Sequence, residues 1–74
     1  MGTVARSQSL VRKRREELGL LLIELAERLQ VSPSLVSFVE GGFVPKPGTQ
    51  VAFAEALECS PIDLWPDEWE ATGE

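Results

Sequence analysis

Five cations, Arg6, Arg12, Lys13, Arg14 and Arg15, fall within residues 1–15 with no acid among them, whereas residues 16–74 hold all twelve acids and only Arg28 and Lys46. Clustered guanidinium and ammonium groups suit non-covalent contact with anions, above all with phosphate oxygens. The plainer alternative is a solvated helix face or a disordered arm. Covalent chemistry lacks its reagents. The chain has no histidine and a single cysteine, Cys59, and no carboxylate pair stands beside a phosphate loop or a metal-ligand spacing. Gly41-Gly42 is too short to signal nucleotide binding and reads as a helix stop. The expectation is therefore a non-enzyme with no metal and no cofactor.

The net charge of −5 and pI near 4.6 argue against a general nucleic-acid binder, so an anionic partner should approach from the side of the first helix. Seventy-four residues make one small domain whose helices must share one core. Cys59 cannot form an internal disulfide, which fits a reduced, cytoplasmic setting. No apolar run reaches the roughly 18 residues of a membrane span, and no cleavable leader is recognisable.

The elements that must position these residues read as helices throughout. Residues 1–8 form a flexible arm, 9–66 the domain and 67–74 an acidic tail. Ser7 or Ser9 caps a first helix that runs to about Leu18, with Val11 inward and Gly19 ending it in a left-handed conformation. Leu20 plugs back into the core. Helix two spans about 22–29, buries Leu25, Ala26 and Leu29, and pairs Glu24 with Arg28 outside. Gln30 takes the turn at a strain of about 1 kcal/mol, and Val31 anchors it. Ser32-Pro33 is a strong start for helix three, about 33–41, which buries Val36 and Val39. Phe43 to Gly48 is a proline-rich loop. Helix four covers about 49–58 with Val51, Phe53, Ala54 and Leu57, and Cys59 packs as a small hydrophobe. Ser60-Pro61 begins helix five, which Pro66 limits.

Five short helices with this punctuation resemble the phage-repressor/Cro-like, or XRE-type, helix-turn-helix family over about Leu10 to Trp65. Gly19-Leu20, the run Glu24 to Leu29, Val31-Ser32, Val36, Val39, Glu40, Gly42, Pro47, Ala54 to Leu57, Ser60 and Leu64 carry the likeness at fixed offsets. The resemblance implies an all-α, lambda-repressor-like domain with its helix-turn-helix at helices two and three. It implies a cytoplasmic, sequence-specific transcriptional regulator, a repressor or Cro-like protein of phage or prophage type. Such a protein binds double-stranded operator DNA as a homodimer on half-sites about one helical turn apart. It also pairs Arg15 with Glu40 as a structural ion pair, the rival role for Arg15 being a phosphate contact.

By the same resemblance helix three enters the major groove and reads bases from Pro33, Ser34, Ser37 and Phe38. These are poor readers, because direct readout favours the paired donors and acceptors of Arg, Lys, Asn and Gln. Serine offers one adaptable hydrogen bond, or is merely solvated. Phenylalanine packs on a thymine methyl, a partner or the core, so any specificity should lean to T-containing steps. Phosphate contacts fall to Arg12, Lys13, Arg14, the amides at the start of helix three and around Gly41 and Gly42, and Lys46, unless Lys46 is simply solvated. About four engaged charges give a logarithmic salt slope near −4. Leu21 and Leu22 replace the family's polar cap and clamp, marking either a protein contact or an extra core plug. Trp65 and Trp69 are candidates for the dimer contact or for packing on their own core. The alternative function is a degenerate helix-turn-helix serving as a protein-interaction module, of antirepressor, antitoxin or polymerase-binding kind, through Leu21, Leu22, Phe38 and Phe43.

Overall fold

The computed structural model describes residues 9–69; the proposed arm at 1–8, including Arg6, and the tail from residue 70 lie outside the described residues. The described residues form α1 (Leu10–Glu17), α2 (Leu22–Leu29), α3 (Pro33–Glu40), α4 (Pro47–Ala56), α5 (Pro61–Leu64) and α6 (Pro66–Trp69), with no strand among them. Pro47 does not lie in the loop before helix four but begins the helix, because proline at the first helical position forfeits no needed donor. Pro66 likewise closes α5 and opens α6, so a sixth short helix follows the expected five. No helix among the described residues is long and apolar enough to cross a membrane.

All the longer helices contribute to one core, in which Phe53, Leu25, Leu57 and Val36 are fully enclosed and Val11, Ala26, Val39, Ala54 and Leu64 nearly so. Phe53 meets Trp65 edge-on, with ring centroids 6.0 Å apart, a favoured aromatic geometry. The tail end of the domain is tied to this core through a buried amide that sequence reading gave no role. Gln50 Nε2 donates to the Pro45 carbonyl at 2.8 Å, and its Oε1 accepts from Trp69 Nε1. Both ends of the amide are thus satisfied, as a buried polar group requires. A glutamine three to seven residues ahead of Phe53, Ala54 and Leu57, on the same helical face, was the available signal.

Each of the four longer helices ends in the same way. The amide of the residue with positive φ bonds to the carbonyl three residues back, and the following amide bonds to the carbonyl five residues back. These pairs are Gly19 and Leu20, Gln30 and Val31, Gly42 and Phe43, and Glu58 and Cys59, each pair forming a Schellman motif. Gly19 and Gly42 adopt the required positive φ without a Cβ penalty, whereas Gln30 and Glu58 adopt it at 60° and 59° against one.

Arginines complete the end of α4. Arg14 Nε donates to the Leu57 carbonyl at 2.9 Å and its Nη2 to the Glu58 carbonyl at 3.1 Å, while Arg28 Nη1 reaches the Ala56 carbonyl at 3.0 Å. Two cations from α1 and α2 therefore meet the electronegative end of a third helix. The Glu24–Arg28 pair expected on α2 does not form. Arg28 turns to Ala56 and Glu58, and the Glu24 carboxylate accepts from the Leu21 amide at 2.8 Å, supplying half of a capping box where the N-cap side chain is apolar. Replacing Gln30 with glycine removes the left-handed strain. The expected result is a gain of about 1 kcal/mol and a melting temperature raised by roughly 4–8 °C, read by thermal circular dichroism.

Candidate nucleic-acid interface

Helix α3 is presented by its two ends. At its start the Ser32 hydroxyl accepts from the Leu35 amide at 3.2 Å, and Pro33 occupies the first helical position. Near its end Glu40 receives Arg15 as a two-pronged pair, Nε to Oε2 at 2.6 Å and Nη2 to Oε1 at 3.1 Å. The third prong of the guanidinium, Nη1, donates to the Leu20 carbonyl at 2.9 Å. Both side chains are about nine-tenths enclosed, at 11% and 8% exposure. The hydrogen bonding to Glu40 outweighs burial and raises the Arg15 pKa further. Arg15 is thereby engaged in the fold rather than offered to a phosphate.

With Val36 and Val39 inward, the opposite side of α3 is bare. Pro33, Ser34, Ser37 and Phe38 are all exposed, and a shallow open groove runs along the last three, lined also by Ser32, Leu35, Gly41 and Phe43. Phe38 does not pack into the core: 61% of it is exposed, and its ring stacks on that of Phe43 at 4.9 Å and 21°. Phe43 was not among the base-reading residues expected from sequence. Its signal was the five-residue spacing across Gly41-Gly42, which a Schellman turn converts into side-chain contact.

The expected phosphate contacts separate into two groups. Arg14 is half-buried with Nε and Nη2 on the carbonyls of Leu57 and Glu58 just past α4 and Nη1 3.4 Å from Glu17, which takes it out of the set. The Gly41 amide donates to the Ser37 and Phe38 carbonyls and the Gly42 amide to Val39. Neither glycine amide is therefore presented to a phosphate. The reason is the same in both cases: a helix C-terminus needs donors for its own carbonyls before any ligand does. Lys13 is exposed, but it lines a hollow with Glu17, Glu58 and Asp63 on the α4–α5 side. Arg12 lies one residue from Lys13 on α1, paired with Glu16 at 3.0 Å across an exposed turn. Lys46 is exposed at the N-cap of α4.

Of Leu21, Leu22, Trp65 and Trp69, Leu21 is the one left at the surface, at 63% exposure. Leu22 is half-buried against the core, Trp65 is buried within it, and Trp69 is half-buried beside Gln50. Ile23, 52% exposed, lies next to Leu21 and extends the same apolar surface. Cys59 is half-buried, and burial pushes its thiol pKa up, which keeps it protonated and a weak nucleophile. Among the described residues no group of three His, Cys, Asp or Glu side chains is arranged to hold a metal ion.

Comparison with protein families finds that residues 11–64 match the model described as helix-turn-helix, of XRE type. Comparison with curated proteins and with solved structures returned no match.

Removing one partner of the enclosed pair strands the other. Glu40→Ala is expected to cost about 3–5 kcal/mol in urea unfolding, whereas Arg15→Met combined with Glu40→Leu recovers most of that loss, because an apolar pair leaves no uncompensated charge.

Proposed function

The chain belongs to this XRE-type helix-turn-helix family of DNA-binding transcription regulators, and we propose that it acts as a repressor or Cro-like regulator that lays α3 in the major groove of operator DNA as a homodimer. One observation carries this: residues 31–54 contain a single acid, Glu40, and a single base, Lys46, and Glu40 is neutralised by Arg15. In a chain with twelve acids, the outer face of α3 is a surface that a polyanion can approach without meeting an unpaired carboxylate on that segment.

Base reading from this face rests on Ser34, Ser37, Phe38 and Pro33. Each contributes little hydrogen-bonding information compared with a bidentate Arg or Gln. Affinity then comes from the phosphate backbone, through the exposed Arg12 and Lys46 and the start of α3, which orients register without carrying sequence. Two engaged cations are a small number. A second copy on an adjacent half-site multiplies such weak contacts through effective concentration, which is the support for the dimer.

A second reading is favoured by the exposed Leu21 and Ile23 at the start of α2. There the chain offers an apolar step, and a protein partner could use it. Leu21→Ser with Ile23→Gln, which removes the apolar step without adding charge, is expected to leave DNA affinity within about twofold; loss of a protein complex without loss of DNA binding would favour the second reading.

The full chain titrated with duplex DNA should bind at low ionic strength with a logarithmic salt slope of about −2. Lys46→Ala should weaken binding to all sequences alike and reduce the slope by about one. Fluorescence anisotropy at several salt concentrations reads both effects, and no binding even at the lowest salt would remove DNA from the account.

A further inference from the structure

From the stacked, exposed rings on the α3 face we infer that Phe38 and Phe43 form a rigid aromatic platform that recognises the C5-methyl group of a pyrimidine in the major groove. The inference rests on the proposed docking of α3 in that groove and says which chemical group the face reads there.

The platform is pre-formed. Phe38 lies in the last turns of α3, and Phe43 is brought back to it by the turn at Gly42, φ +120°, with the Phe43 amide donating to the Phe38 carbonyl at 3.2 Å. The rings then stack at 4.9 Å. A capping contact needs only that two apolar groups touch; here 61% of Phe38 and 45% of Phe43 remain exposed beyond that contact. Little side-chain entropy is left to lose when a ligand covers them, since each ring is held by the other and by the turn.

The neighbours narrow the ligand. Ser34 and Ser37 line the same groove with hydroxyls that can meet a base edge, and no carboxylate or cation lines it. An apolar face beside single hydroxyls matches the one apolar feature of the major-groove edge, the methyl of thymine, with serine adaptable to a neighbouring donor or acceptor. A methylated cytosine presents the same group at the same ring position. Thymine and 5-methylcytosine are thus two sources of one chemistry. The near-neutral charge of residues 31–54 described above makes DNA a better fit to this face than a cationic protein surface, which would seek the acids found elsewhere on the chain.

The test uses the full chain and the most populated duplex recovered after its selection from a random pool. Each thymine is replaced in turn by uracil, which deletes the methyl alone. Wild-type affinity should fall roughly fourfold at one or more positions, the worth of one buried methyl. In Phe38→Ala, and more weakly in Phe43→Ala, the uracil penalty should vanish, and both variants should keep the wild-type circular dichroism because the rings are exposed. In the same duplex, methylating cytosine at C5 separates the sources: a gain assigns recognition to the methyl on either base, and no gain assigns it to thymine. If the protein binds DNA but uracil costs nothing, or the penalty persists in Phe38→Ala, the inference is overturned while the proposed function stands. If Phe38→Ala instead changes only the oligomeric state, the platform is a protein contact and the inference is likewise overturned. Failure to bind any duplex is a failure of the proposed function itself.

Discussion

The ion pair between Arg15 and Glu40 fixes α1 against the C-terminal end of α3, and the presentation of the candidate DNA face follows from it. Its three hydrogen bonds tie α1, the turn at Leu20 and α3 into one unit. Burying two charges offsets much of their attraction, so the pair's contribution lies less in net stability than in the cost of misplacing either partner. A rotation or slide of α3 relative to α1 would leave a carboxylate or a guanidinium alone in a largely enclosed site. The same pair cancels the one acid that α3 carries. A single interaction thus sets both the orientation of the helix and the electrostatic character of its outer face.

The other arginines of the first helix show why net charge and local charge must be kept apart. Arg14 closes the end of α4, joined there by Arg28 from α2. Cations that look available in the sequence are engaged in the fold because α4 ends with carbonyls that lack helical partners. The domain therefore meets a polyanion with few free cations. What it offers in their place is a segment with no uncompensated acid and a pre-formed apolar and hydroxyl surface.

Much of this was legible in the sequence, and the unread part has a common cause. Ser9, Ser32 and Gly19 announce their caps because each residue type has a local reason to be there, and Gln30 could be placed in a left-handed turn from its position alone. Pro47 was misplaced because proline excludes itself from helix interiors but not from their first turn. The fates of Arg14, Arg28 and Gly41 depended on which carbonyls needed donors, which is a tertiary question. Phe43 as part of the base-facing surface, and Gln50, were missed for a related reason. One acts through a turn that brings it back to α3, the other through a tryptophan nineteen residues further along the chain. The outward positions Pro33, Ser34 and Ser37 are exposed as expected, since the burial of Val36 and Val39 leaves them nowhere else to face, whereas Phe38, for which core packing stayed open in the sequence, joins them at the surface.

The most direct measurement is the map of backbone amide chemical-shift changes when the full chain is titrated with duplex DNA at low salt. The account predicts changes concentrated on residues 32–46 and at Arg12, and little change across α5 and α6. Changes that avoid α3 and gather at Leu21 to Ile23, or along α5, would contradict it.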